Sequence, residues 1–169
     1  KAGEAGIAVV DVLQNLSITD NVLDIGGNNT FGIRLQLNAA SWNHPTIRIT
    51  GNCVTNTATA MAYEALSTGP ELPLIQNNYL FNYSAHGIWS INFSGSIGSC
   101  NNFPSEAGRN SFISNFLPPF GTATDVRSDN ATIFLSGNGP NLVISFPTVL
   151  VNTSCNATAT TSCGNQIGN

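Results

Sequence analysis

The sequence is poor in charged residues and lacks a long hydrophobic run. Only 8% of its 169 residues are charged, and the formal net charge is −4. The basic stripe that nucleic-acid binding requires is therefore absent. No stretch approaches the roughly 18 apolar residues that mark a membrane helix. We expect neither a nucleic-acid partner nor a transmembrane segment, and the 41% hydrophobic content argues against a disordered chain.

The cysteines lack the spacing of a zinc site. None forms a C-x2-C pair, and the two histidines, His44 and His86, lie far apart, so we expect no structural metal. An even set of four cysteines is compatible with two disulfides in three pairings, free thiols being the alternative. Cys155 and Cys163 bracket a short polar loop and are the pair we favour. The full set is Cys53, Cys100, Cys155 and Cys163.

Asparagine, serine, threonine and glycine are abundant, whereas Lys1 is the one lysine. This composition and the paired cysteines favour a secreted or cell-surface protein. Because the sequence begins with lysine and shows no signal-peptide pattern, we interpret it as a processed or trimmed product. Seven Asn-x-Ser/Thr sequons are candidate glycosylation sites. They begin at Asn15, Asn28, Asn82, Asn92, Asn130, Asn152 and Asn156.

Five segments of the chain repeat one pattern, in which an asparagine recurs at spacings of 31, 26, 32 and 28 residues. Segments 17–25, 48–56, 74–82, 106–114 and 134–142 carry it at Asn21, Asn52, Asn78, Asn110 and Asn138. Two positions after the first four asparagines stand Leu23, Val54, Leu80 and Phe112. The alternation around Ile47 and Ile49 predicts a half-buried strand before the asparagine. The apolar residues after it predict a second strand that faces a core.

A second column of short strands follows, mostly opened by glycine. It comprises Gly6-Ile7-Ala8-Val9, Gly32-Ile33-Arg34-Leu35, Ala60-Met61-Ala62-Tyr63, Gly87-Ile88-Trp89-Ser90 and Thr124-Asp125-Val126-Arg127. No segment carries an apolar stripe of helical period over three turns, so we expect little helix. Residues 57–66 have helical propensity, but their place in this column predicts a strand.

The runs I-T-G-N-C-V-T-N and I-Q-N-N-Y-L-F-N, with the glycine-isoleucine starts, resemble the right-handed parallel β-helix of the pectate-lyase-like superfamily. The resemblance implies an all-β solenoid of about five coils in residues 1–146, followed by a polar segment in 147–169. Its asparagines would stack in a ladder, since asparagine tolerates the left-handed conformation and its amide can bond the next coil. The alternative is an antiparallel β-sandwich of short strands.

The outward positions of the second column define a surface strip. It would contain Arg34, Gln36, Glu64, Trp89, Asn92, Asp125 and Arg127, with Asp11 one coil away. The resemblance implies that enzymes of this fold act on acidic polysaccharides from such a strip, through clustered aspartates. The nine acidic residues here are scattered, so we assign no catalytic residues. Asp125, Arg127 and Glu64 are the nearest candidates, and a surface ion pair is the alternative for Asp125 and Arg127.

Other side chains suggest binding rather than catalysis. Trp89, Arg34, Gln36 and Asn92 are the expected ligand-binding residues, with Trp89 and Tyr83 as a platform for a sugar ring. We expect His86 to face solvent in a turn. We assign no cofactor, although Asp20, Asn21 and Asp24 offer oxygen ligands for calcium at a spacing unlike that of an EF-hand loop.

These observations predict an extracellular, non-catalytic structural or adhesive module. A polysaccharide lyase or glycoside hydrolase, or a fragment of one, is the alternative, and a phage or viral receptor-binding spike is the third hypothesis. Residues 3–12 begin directly in a strand pattern with no polar cap. We therefore expect a homo-oligomer or filament that forms through the ends of the solenoid, where residues 142–146 supply an apolar strand.

Overall fold

The computed structural model describes residues 4–11, 15–26, 30–38, 47–66, 74–98, 110–114, 123–130, 132–136 and 149–152. These residues form strands and turns, so the all-β prediction is confirmed, and none of them belongs to a helix able to cross a membrane. The strands are β1 Ala5–Val10, β2 Leu16–Thr19, β3 Val22–Asp24, β4 Phe31–Leu37, β5 Ile47–Thr50, β6 Cys53–Ala65, β7 Leu74–Gln76, β8 Tyr79–Ile91, β9 Gly95–Ile97, β10 Ser111–Ser114, β11 Thr124–Asp129, β12 Ile133–Ser136 and β13 Val149–Asn152.

The strands form two sheets in which every pairing between described strands is parallel. The seven-stranded sheet has the order β1-β4-β6-β8-β10, with β3 beside β6 and β11 beside β8. The six-stranded sheet has the order β13-β12-β9-β7-β5-β2. The alternative prediction, an antiparallel sandwich, is therefore wrong.

The chain crosses from the six-stranded to the seven-stranded sheet at the repeated asparagines. Asn21 lies between β2 and β3, Asn52 between β5 and β6, and Asn78 between β7 and β8. Residues at the same place in successive repeats become neighbours on adjacent parallel strands. Strand β13 pairs with β12, so the six-stranded sheet continues past residue 146, where we expected the domain to end.

Apolar side chains from the two sheets form one core. The seven-stranded sheet places Leu23, Val54, Leu80 and Phe112 in register, as the repeat predicts. The same sheet also places Ile7, Ile33, Met61, Ile88 and Val126 in register. The six-stranded sheet contributes Ile18, Ile49, Ile75 and Ile97. Residues 57–65 form a strand rather than a helix. Met61 and Tyr63 lie two residues apart on the inner face of β6 and are both fully buried, which is the period of a strand.

In the first three asparagine turns, the left-handed residue is the one before the repeated asparagine. Asp20, Gly51 and Asn77 have φ of 56°, 69° and 56°. The expectation that the repeated asparagine itself adopts this conformation is wrong for Asn52 and Asn78. Asn56 and Asn82 have φ of 56° and 57° inside β6 and β8, so each long strand bends there, and the β6–β8 register shifts just after Asn56.

The glycines of the second column are required by close packing. A Cβ atom on Gly32 would lie 2.1 Å from the Val54 side chain, and one on Gly87 would lie 2.8 Å from the Phe112 ring. In the last repeat the predicted alignment is wrong by one residue. Thr124 pairs with His86 and Val126 with Ile88, so Asp125 rather than Thr124 lies opposite Gly87.

Candidate functional site

The repeated asparagines form a hydrogen-bonded ladder. The Asn52 backbone N–H and side-chain Nδ2 both donate to Asn78 Oδ1, at 3.0 Å each. Asn21 bonds Asn52 in the same way, and Asn78 bonds Asn110. Asn52, Asn78 and Asn110 are buried, and each Nδ2 also donates to a backbone carbonyl of a neighbouring repeat. Asn138, the fifth predicted member, lies outside the described residues.

The outward strip consists of two adjacent rows on β4, β6, β8 and β11. One row aligns Arg34, Ala62, Trp89 and Arg127, and the next aligns Gln36, Glu64, Ile91 and Asp129. Asp11 lies at the end of β1, where its Oδ1 accepts a bond from the Asn38 backbone N–H at 2.6 Å. The strip therefore contains five of the residues predicted for it, together with Asp129, which the sequence analysis did not select.

One end of the strip is an ion-pair cluster. The Arg34 guanidinium donates from Nε and Nη2 to the two carboxylate oxygens of Glu64, at 2.9 and 3.0 Å, and from Nη1 to Glu4 at 3.2 Å. Gln36 Nε2 also donates to Glu64, at 3.0 Å. The hydrogen bonds to Glu64 raise the pKa of Arg34 above its ordinary value, so the guanidinium remains charged. All three guanidinium nitrogens are engaged within the protein.

The other end of the strip is built around Trp89. Its indole Nε1 donates to Asp129 Oδ2 at 2.7 Å, and the Arg127 guanidinium lies 5.4 Å from the ring centroid. Arg127 Nε donates to the same carboxylate oxygen at 3.0 Å. The His86 ring lies 5.6 Å from the Trp89 ring, and His86 Nδ1 is 2.6 Å from Thr124 Oγ1. We call these five residues the tryptophan cluster.

Two predicted members of the site lie in the interior instead. Asp125 is 5% exposed and Tyr83 is fully buried, and the Tyr83 hydroxyl donates to Asp125 Oδ1. Asp125 is buried although Arg127, two residues further along β11, lies on the outward strip. The predicted positions of Asp125 on the outward strip and of Tyr83 as an exposed platform for a sugar ring are therefore wrong. Burial raises the pKa of Tyr83 well above its usual range, which keeps the hydroxyl protonated as the donor.

The sequons differ in the accessibility of their asparagines. Asn92 directly follows β8 with φ of 64°, and its Nδ2 donates to the Ala65 carbonyl at 2.6 Å, so its amide supports a turn rather than the strip. Asn82 Nδ2 donates to Asn56 Oδ1. Asn15 and Asn130 are exposed. Asn152 is the last residue of β13, while Asn28 and Asn156 lie outside the described residues.

The described cysteine is oxidised. Cys53 opens β6, is 4% exposed and takes part in a disulfide. The other three cysteines, Cys100, Cys155 and Cys163, lie outside the described residues.

The structure adds an aromatic pair that the sequence analysis did not select. Tyr79 and Phe81 stack on the outward face of β8, with ring centroids 6.1 Å apart, and Phe81 is 40% exposed. The sequence could have indicated this pair, because two residues that are two positions apart in a strand lie on the same face. His86 is also placed differently from the prediction, half-buried within β8 rather than in a turn.

The position of His86 predicts a pH dependence of stability. Burial, and then the nearby charge of Arg127, lower its pKa below the ordinary 6.5, while Asp129 opposes this. The unfolded chain therefore binds a proton more readily, and folding is weakened as the pH falls through and below that value. Between about pH 8 and about pH 5, we expect the wild type to lose more free energy of unfolding than His86→Gln. Urea titrations at both pH values measure it, and equal losses would contradict the assignment.

The described residues contain no group of three or more histidine, cysteine or acidic side chains placed to hold a metal ion. Asp24 accepts a bond from Asn56 Nδ2 at 2.7 Å, and so caps a second, shorter row of turn side chains formed with Asn82. Comparison of the chain with known protein families, curated proteins and solved structures gave no match.

Proposed function

We propose that the protein is an extracellular, non-catalytic adhesive module, built as a right-handed parallel β-helix, that binds acidic carbohydrate at the tryptophan cluster. The parallel sheets, the register between repeats and the asparagine ladder support the β-helix. The disulfide at Cys53 supports an oxidising, extracellular environment.

The observation that carries the binding proposal is the difference between the two arginines of the strip. All three guanidinium nitrogens of Arg34 donate hydrogen bonds to Glu64 or Glu4. Arg127 is 41% exposed and donates to Asp129 from Nε, and its two Nη groups have no partner in the described part of the chain. A planar guanidinium with two outward N–H groups is suited to the carboxylate of a uronic acid. The half-buried Trp89 holds it in place and offers an apolar edge to the sugar.

The carboxylates of the strip support binding rather than catalysis. Glu64 accepts bonds from Arg34 and Gln36, and Asp129 accepts bonds from Arg127 and Trp89. A general acid must donate its proton to the substrate, whereas each of these carboxylates is engaged as an acceptor by side chains of the strip itself. Both carboxylates therefore act here as positioning groups for their arginines.

Affinity electrophoresis through gels containing polygalacturonate or neutral dextran tests this proposal. We expect the polygalacturonate to retard the wild-type protein and the dextran to leave it unaffected. Arg127→Gln should weaken the retardation about ten-fold, because a charge-assisted hydrogen bond contributes about 1.4 kcal/mol or more. Trp89→Phe, which loses the bond to Asp129, should weaken it by a smaller factor.

Phe81→Ala is the matched control, since Phe81 is an exposed aromatic residue on the same strand but outside the cluster. It should bind polygalacturonate as the wild type does. Equal retardation of Arg127→Gln and the wild type would contradict the proposal, as would wild-type mobility unchanged by polygalacturonate.

One observation favours the alternative, a polysaccharide lyase or glycoside hydrolase. Glu64 and Asp129 lie in the same row with Ile91 between them, which places their backbones about two strand spacings, or about 10 Å, apart. Inverting glycosidases separate their two carboxyl groups by a similar distance. Release of reducing ends or of unsaturated uronides by the wild type, abolished in both Glu64→Gln and Asp129→Asn, would establish the enzyme.

A further inference from the structure

Among the described strands, the first repeat lies at the end of both sheets. Strands β1 and β2 are the terminal strands of their sheets, and β3 is paired with β6 alone among the described strands. Such an edge carries unpaired N–H and C=O groups that can accept a further strand. In β2, the Ile18 carbonyl accepts a bond from Asn52 of the next repeat, so the alternating backbone directs the polar groups of Ser17 and Thr19 toward the open side.

The asparagine ladder is also open at this end. Within the ladder, the Oδ1 atoms of Asn52, Asn78 and Asn110 each accept two bonds from the preceding asparagine. Asn21 donates in the same way, but its Oδ1 accepts no bond from the described residues. The ladder is directional, so the group that completes it supplies N–H donors from a parallel repeat. Another repeat of this kind matches that requirement.

The opposite end of the six-stranded sheet supplies a matching edge among the described strands. Strand β13 is the terminal strand of the six-stranded sheet and runs parallel to β12. Since every described pairing is parallel, β2 of one copy can continue the sheet beyond β13 of another copy with the same strand direction. The two ends are therefore complementary in a head-to-tail arrangement.

The acidic residues of the first repeat favour this arrangement over a head-to-head dimer. Glu4, Asp11 and Asp20 flank the strands of the first repeat, and Asp24 is the last residue of β3. A head-to-head contact would bring two such acidic rims together, and the like charges would repel. Residues 130–169, which include β12 and β13, contain no aspartate, glutamate, lysine or arginine, so these two strands bring no like charge to the acidic rim.

We propose that the edge formed by β1, β2 and β3 is an interface that binds the β13 edge of a second copy of this chain. A head-to-tail contact does not close on itself, so it builds a filament. The inference rests on strand edges and the ladder and does not depend on carbohydrate binding at the tryptophan cluster.

Sedimentation velocity and negative-stain microscopy over a concentration series test the interface. We expect the wild-type mass to grow beyond the dimer as concentration rises. Ser17→Pro removes an N–H from the open side of β2 while leaving its bonds to β5, so it should remain monomeric with an unchanged circular dichroism spectrum. Ser17→Thr keeps the N–H and should assemble as the wild type does. If Ser17→Pro does not fold, Ser17→Lys leaves the backbone intact and should also remain monomeric.

A mixing experiment separates head-to-tail from head-to-head contacts. A Ser17→Pro copy keeps its β13 edge, so it can join a growing filament but cannot be extended at its blocked end. Mixing one Ser17→Pro copy with about ten wild-type copies should therefore shorten the filaments severalfold. A wild type that remains monomeric, or that stops at a dimer or a trimer, would overturn the proposal. So would normal assembly of Ser17→Pro, or a monomer whose Ser17 and Thr19 amides resist hydrogen exchange because another segment covers them.

Discussion

Leu80→Ala is expected to lower the free energy of unfolding by about 2–5 kcal/mol, the cost of truncating a fully enclosed leucine. Leu80 has 0% exposure and is in register with Val54 on one side and Phe112 on the other. Removing its isobutyl group opens a cavity in the middle of the stack, where strands on both sides restrict collapse. Urea denaturation followed by circular dichroism gives the value directly.

Phe81→Ala is the control for this prediction because Phe81 is the adjacent residue and faces outward, 40% exposed and stacked on Tyr79. It should cost about 1 kcal/mol or less, as expected of an exposed position. Tyr79→Ala, at the other outward ring, should likewise cost much less than Leu80→Ala. Equal costs at positions 79 and 80 would mean that the strand faces are interchanged, since a shift of one residue exchanges the two faces of a strand.

The asparagine spacing was sufficient to predict the parallel stacking of the first column. In a stack of parallel repeats, equivalent positions become neighbours, so a residue type that recurs at a regular interval identifies one row of the sheet. That reasoning placed Leu80 beside Val54 and Phe112, as the structure does. It needs no knowledge of the loops between repeats, because the row is defined by the asparagine that begins each strand.

Counting residues from the repeated asparagine does not align the strands of the second column. Eight residues separate Asn52 from Ala60, whereas nine separate Asn78 from Gly87, although Ala60 and Gly87 lie opposite each other. The difference arises at the bend after Asn56 and Asn82, where the register shifts. That bend does not account for Asp125, which was assigned to the outward face because it lies two residues before Arg127. Asp125 instead contacts the Tyr83 hydroxyl, 42 residues away, a contact that spacing does not indicate.

The pairing of charges on the strip was only partly predictable. Arg34 and Glu64 were both assigned to the strip, but their bidentate contact is diagonal between rows and depends on rotamers rather than on spacing. Asp129 was missed because it ends β11 beside the sequon at Asn130 and resembles a turn residue. The structure shows that it joins Trp89 to Arg127, which distinguishes that end of the strip.

Asn78→Val is expected to lower the free energy of unfolding by about 2–5 kcal/mol, because it leaves several buried polar groups without partners. Asn78 Nδ2 bonds the Ile49 carbonyl at 2.9 Å, and Asn78 Oδ1 accepts the Asn52 backbone N–H at 3.0 Å. Valine provides neither group. Asn21→Val, at the half-buried end of the ladder, should cost less, since Asn21 Oδ1 accepts nothing from the described residues.

Asn78→Gly separates the loss of hydrogen bonds from backbone strain. The left-handed residue of this turn is Asn77, with φ of 56°, and Asn78 is not among the residues of positive φ. Glycine at position 78 should therefore be at least as destabilising as valine, because it removes the same bonds without relieving strain. At position 77 the order should reverse, with Asn77→Gly tolerated and Asn77→Val costing about 1–3 kcal/mol through strain. Near-wild-type stability of Asn78→Gly would show that the ladder bonds do not stabilise the fold.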